Sequence, residues 1–263
     1  MTAAMPLEFG TLEAQIATGD TVDFRFFQVE EGLSRLLAVH LEVVSPNPDI
    51  ELDAVVGQPA SFSLRQEVTG GVVRTWSGVC QHIEQLVAED SATGRSTYAI
   101  EIVPRAWFLT QRRNHRIFQQ KSEPQIALAL LEEWSVDVET ELALEDYPTR
   151  DYRVQFAESD FAFLSRLLED AGITYYFEHR DDRMVMVLSD EPTARSPRPS
   201  LRFVETPMTT DQELVTGVRI VRRVRPGRYT QRDVDYRRPP TFPVVASQEG
   251  GLDAERPPAR LAA

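Results

Sequence analysis

The chain has 263 residues, 42% of them hydrophobic and 26% charged, ordinary values for a globular protein with one large core or two small ones. Its 28 basic and 41 acidic residues leave a formal net charge of −13, the opposite of the basic footprint of a duplex-binding domain, so no nucleic-acid partner is expected. A single cysteine, Cys80, excludes an internal disulfide framework and any zinc site built on paired cysteines.

The N-terminal stretch "MTAAMPLEFGTLEAQIATGD" lacks a charged region followed by an apolar core, so no Sec signal is expected. No apolar run is long enough to span a bilayer. The segments "TVDFRFFQVEEG" and "LLAVHLEVVS" read as strands broken at Gly32, and the two prolines of "SPNPD" impose a turn. "VVGQPASFSLRQEV" and "VRTWSGVCQHIEQLV" follow, separated by Gly70 and Gly71. After the turn cluster "EDSATGRS", "TYAIEIVP" alternates Tyr98, Ile100 and Ile102 on one face. Short strands at this spacing predict an antiparallel barrel or sandwich.

Past Pro104, "RAWFLTQRRNHRIFQQKS" mixes aromatics with arginines. "SEPQIALALLEEW" predicts a helix: Ser122 caps it, Gln125 completes a capping box, and Pro124 sits where a missing N–H is harmless. Ile126, Leu130 and Trp134 recur at helical spacing, flanked by Ala127 and Leu131. "DVETELALEDYPTRD" reads as an acidic connector, and "YRVQF" as a strand. Ser159 caps the next helix and Asp160 suits its positive end. Phe161, Leu164, Leu168 and Ala171 share a face widened by Leu167, and Gly172 ends the helix. This face is expected to pack on a hairpin made of "ITYYFEH", the turn "RDD" and "MVMVLSD". A proline-rich loop, "EPTARSPRPS", leads to arginine-rich strands in "ELVTGVRIVRRVRPGRYTQRDVDYRRP" and a flexible tail, "SQEGGLDAERPPARLAA".

The residues that carry chemistry elsewhere have structural explanations here. There is no Gly-rich phosphate loop, nucleophile elbow or two-histidine metal spacing, and His40, His82, His115 and His179 are scattered. Capping accounts for Ser159 and Asp160 better than nucleophilic catalysis does. Glu178, His179, Asp181 and Asp182 cluster near a hairpin turn, where Asp is favoured for backbone reasons. Cys80 reads as buried packing. The arginines from Arg219 to Arg238 grip phosphate or an acidic partner, or form one polar face of a strand pair; the two readings weigh equally. No catalytic, cofactor or metal residue is expected.

At this point the chain resembles a family. "YRVQFAESDFAFLSRLLEDAGITYYFEH", Tyr152 to His179, is similar to the signature segment of VgrG proteins, the spike proteins of type VI secretion systems. The Glu-Gly-Leu-Ser-Arg core at Glu31 to Arg35, Gly57, the Arg-Ile-Phe-Gln element at Arg116 to Gln119 and "VRRVRPGRYTQRDVDYRRP" extend the resemblance from about Val22 to Pro240. Leu37 stands where the family usually has an aromatic.

The resemblance implies a fold that is α+β and mainly β, similar to the hub of contractile phage tails. It implies a first β-barrel-like domain over 1–103, a mixed α/β middle over 104–208, and the start of a second barrel with a flexible tail over 209–263. It implies a structural role joining a threefold spike to a sixfold tube, and no enzyme activity. The implied partners are two further copies in a full-length homotrimer, an Hcp-like tube protein, baseplate components, and a PAAR-type tip protein and effectors held by C-terminal parts beyond Ala263. The implied location is the cytoplasm during assembly, then secretion by the apparatus. Two alternatives stand beside it: the hub of a phage tail or extracellular injection particle, and, remotely, a hydrolase using Ser159, Asp160 and His179.

Overall fold

The computed structural model describes residues 12–65, 72–90, 94–180, 183–191, 200–205, 214–221, 228–233 and 244–249. The chain divides into two compact units, 1–202 with 206–214, and 203–205 with 215–263. The first unit opens with β1 (Leu12–Gln15), β2 (Asp23–Glu30), β3 (Ala38–Ser45), the single helical turn α1 (Leu52–Val55), β4 (Pro59–Arg65), β5 (Val72–Asp90) and β6 (Arg95–Val103). The six strands form one antiparallel sheet in the order β1-β4-β5-β6-β3-β2.

This sheet is curled into a half-barrel, and its own aromatics show the curl. β2 and β4 lie four strand steps apart, about 19 Å in a flat sheet. Yet the rings of Phe24 and Phe27 on β2 meet Phe62 on β4 at 5.5 and 5.1 Å. Side chains standing parallel on a flat sheet do not close that gap. Phe62 also stacks on Trp76 at 5.7 Å. A second bond across the curl runs from β5, where Arg74 and Trp76 both donate to the Glu31 carboxylate. The expected face of Tyr98, Ile100 and Ile102 is buried inside, beside Val39, Leu41, Val43 and Cys80. The "SPNPD" turn is held by its own side chains: Asn47 N–H donates to Ser45 Oγ and Asp49 N–H to Asn47 Oδ1.

The pairing of β5 with β6 shifts register three times, after Cys80, after Gln85 and after Val87, and such bulges add twist where the sheet must bend. Upstream of these bulges, Gly78 runs against the end of β6. A Cβ there would lie 2.1 Å from the Val103 carbonyl oxygen, so the two backbones must part to admit one. Gly78→Ala is expected to cost about 1–3 kcal/mol, read as a lower denaturation midpoint with unchanged m-value. An unchanged midpoint contradicts the close approach.

A 3-10 helix (Arg105–Thr110) leads into β7 (Arg113–Lys121), α2 (Glu123–Glu133), β8 (Val138–Glu141), β9 (Arg150–Ser159), α3 (Asp160–Asp170), β10 (Thr174–Arg180) and β11 (Arg183–Ser189). The capping box of α2 forms as expected, with the Ser122 N–H donating to Gln125 Oε1 at 2.9 Å. β10 and β11 form the expected hairpin, paired from Thr174↔Ser189 to Arg180↔Arg183; its turn residues Asp181 and Asp182 lie outside the described residues. The acidic connector is not wholly irregular: Val138–Glu141 is β8, which joins β11 in parallel. "RNHRIFQQ" is also a strand, β7, paired antiparallel with β9.

The α3 face needs a correction. Its fully buried apolar residues are Phe163, Leu164, Leu167 and Leu168, whereas Phe161 and Ala171 only flank the core. The cause is β7: Phe118 stacks on Phe163 at 5.6 Å, turning the helix toward the ribbon. The hairpin is still a neighbour, since Tyr175, Met186 and Leu188 share this core and Phe161 meets Tyr175 edge-on.

Further strands are β12 (Arg202–Phe203), β13 (Leu214–Val215), β14 (Arg228–Asp233) and β15 (Val244–Glu249). β14 and β15 pair antiparallel from Arg228↔Glu249 to Asp233↔Val244. Among the described residues, regular structure therefore reaches Glu249 and takes in the first three residues, Ser247 to Glu249, of the stretch expected to be flexible.

Candidate functional site

Ser159 is the N-cap of α3, its hydroxyl accepting the Ala162 N–H at 3.1 Å. Asp160 is fully buried in the first turn, where the helix dipole favours a carboxylate. Its Oδ1 accepts from Gln155 Nε2 at 2.8 Å, and its Oδ2 from Arg112 Nε at 2.7 Å and Trp134 Nε1 at 3.0 Å. Arg112 also lies over the Trp134 ring and donates to Glu133, which receives two further bonds from Arg116. One carboxylate thus fastens α3 to β9, to the segment before β7 and to the end of α2. Capping explained Ser159 fully; Asp160 does much more than face a dipole.

A second buried carboxylate repeats the device. Glu123, in the first turn of α2, accepts from Arg150 at 2.8 Å and from Arg153, both on β9. Burial raises the Glu123 carboxyl, but the bonds from Arg153 and Arg150 outweigh it and hold it below the ordinary 4.5. The Arg116 bonds hold Glu133 below the same value, against partial burial. A depressed folded pKa gives stability that is present above the unfolded value and lost as pH falls through the folded one. The melting temperature is therefore expected to begin falling below about pH 4.5, and less steeply in Glu123→Gln. Parallel acid profiles for the two proteins contradict this role for Glu123.

These groups brace and do not react. Both Asp160 oxygens are held by donors, and the Ser159 hydroxyl serves the helix. His179 sits on β10 opposite Met184, in a hairpin strand separate from the brace. Burial pushes the Cys80 thiol up to about 11, away from a reactive thiolate. Among the described residues, no three His, Cys, Asp or Glu side chains gather as metal ligands, and no helix is long and apolar enough to cross a membrane. Of the arginine cluster, Arg219 is exposed on the segment 216–221, beside exposed Val218, Ile220 and Val221. Arg222, Arg223, Arg225, Arg237 and Arg238 lie outside the described residues. The brace was missed because its acids and arginines are far apart in sequence; the one local signal was a run of arginines beside aromatics.

The family profile described as phage tail baseplate hub (GPD) matches residues 30–260. The type VI secretion system spike protein VgrG1a of Pseudomonas aeruginosa is 33% identical over 213 residues, 80% of this chain and 32% of that protein. VgrG1c of the same organism is 33% identical over 235 residues, 85% of this chain and 31% of that protein. The chain therefore spans about a third of the length of these relatives. Among solved structures, the Escherichia coli c3393 protein, described as a type VI secretion component similar to T4 tail proteins gp27 and gp5, has a TM-score of 0.62 at 24% identity. That match covers 73% of this chain and 52% of c3393. A Neisseria meningitidis tail protein has a TM-score of 0.53 at 12% identity, covering 94% of this chain and 70% of that one.

Proposed function

The chain belongs to the phage tail baseplate hub family, and from that premise we propose that it is the hub segment of a type VI secretion spike. The observation that carries the reading is the family match over residues 30–260, which coincides with a curled six-stranded sheet beside a braced α/β layer. A hub holds its partners through many modest contacts on a rigid frame. The two buried carboxylates, each tied by arginines to another element, supply that rigidity. The role is structural and not enzymatic, and the Ser159 and Asp160 geometry supports that view over a hydrolase.

In this reading residues 1–103 are the first barrel-like domain, 104–208 the middle and 209–263 the start of a second barrel. Three copies join the spike to a sixfold, Hcp-like tube, beside baseplate components. Effectors and a PAAR-type tip belong to later parts of the spike. The protein assembles in the cytoplasm and leaves through the apparatus. Identity of about a third to VgrG proteins favours type VI secretion over a phage tail or a free injection particle; neighbouring genes for a membrane complex separate the two.

Tube docking is assigned to the first domain and to Arg219, Arg222 and Arg225, through charge pairs that salt screens. Changing all three to glutamate is expected to reduce tube assembly and secretion, and raising salt should weaken wild-type docking. Normal secretion by a folded variant overturns the docking role.

A further inference from the structure

The ribbon of β7 and β9 has two unlike faces. Its inner face carries Phe118 and Gln155, both buried against the helices. Its outer face pairs His115 with Phe156, Ile117 with Val154 and Gln119 with Tyr152. Ile117 is 69% exposed, Phe156 74% and Tyr152 65%. An antiparallel ribbon open to water on one side normally turns polar residues outward. Apolar residues on both faces mark a ribbon that is covered on both. Arg113 and Lys121 stand at the two ends of the outer face, exposed and with no ion pair among the described residues. β7 itself has three basic residues and no acidic one, in a chain of net charge −13.

The complementary surface is on the same chain. The connector after β8 runs Leu142-Ala143-Leu144-Glu145-Asp146, with Leu144 43% exposed. Glu145 and Asp146 beside it are exposed and have no ion pair among the described residues. An apolar residue set against two free carboxylates fits an apolar strip ended by free cations. We propose that the outer face of the ribbon is an interface between copies of this chain, receiving the Leu144–Asp146 connector of a second copy. Leu144 covers Ile117 and Tyr152, and Glu145 and Asp146 face Lys121. Such a contact joins two different patches, so it propagates into a ring or closes as a pair if formed twice. The contact is argued from these surfaces alone; only the number of copies in a closed ring, three, rests on the hub reading.

The test mixes Ile117→Cys chains with tagged Leu144→Cys chains under a short bismaleimide. Cys80 is buried and stays out of the reaction. The mixed cross-link is expected to exceed the like-with-like products about fivefold, and Phe156→Glu should abolish it. By sedimentation, Lys121→Glu should weaken self-association on the order of tenfold, and adding Asp146→Lys in the same chain should restore it. Absence of the mixed product, equal like-with-like products, or a cross-link formed inside one Ile117→Cys/Leu144→Cys chain overturns the interface. A trimer of the full-length protein that survives Phe156→Glu also overturns it, while leaving the hub reading intact.

Discussion

Asp160→Ala is expected to destabilise the fold by about 2–5 kcal/mol, because hydrogen bonds to a charged group contribute about 1.5–3 kcal/mol each while Arg112, 39% exposed, keeps contact with solvent. The carboxylate is fully buried and its donors come from three places: Arg112, Trp134 and Gln155. Truncation leaves the half-buried indole N–H and one Gln155 amide N–H without their acceptor, although the Gln155 amide keeps its bond to the Glu158 carbonyl at 3.2 Å; a buried donor left unpaired costs about 1–3 kcal/mol. Arg112 keeps Glu133, which limits the loss. For a unit of this size the melting temperature should fall on the order of 10 °C. The pairing is separable by a cycle: Arg112→Ala and Asp160→Ala together should cost less than the sum of the two. Additive costs contradict the coupling, and a melting temperature within about 2 °C of wild type contradicts the brace.

Leu164→Ala is expected to cost about 2–5 kcal/mol. Leu164 is fully buried on α3, in the core that α2, the 3-10 helix at Arg105–Thr110 and the hairpin share. Helix propensity changes little with this substitution, since alanine is the better helix former. The loss therefore reports the cavity and the lost apolar transfer. Phe161→Ala should cost less than Phe163→Ala, because Phe161 is only half-buried and Phe163 stacks on Phe118. Equal costs for the two phenylalanines contradict the orientation of the helix.

What was legible in the sequence is what local rules govern. The α2 capping box, the Ser159 cap, the existence of the hairpin that follows α3 and the inward row Tyr98, Ile100, Ile102 all follow from spacing over a few residues. What was not legible depends on partners distant in the chain. β8 has one apolar residue in four, Val138, and is a strand because β11 supplies the parallel ladder. β7 reads Arg-Asn-His-Arg-Ile-Phe-Gln-Gln-Lys, with two adjacent apolar residues among seven polar ones, a pattern that reads as polar until β9 lies beside it. Missing β7 also misassigned the helix face, since Phe118 selects Phe163 over Phe161. The Asp160 brace escaped for the same reason: Arg112 is 48 residues away from its carboxylate.

The central claim is that this chain is a structural hub at the end of a tube. The most direct test is electron cryomicroscopy of the assembled injection particle from cells making the full-length protein. The account predicts three copies of residues 12–191 at the tube end, their half-barrels facing the tube and their ribbons against neighbouring copies. Tubes and sheaths that assemble and contract with no density for this segment at that position would contradict it.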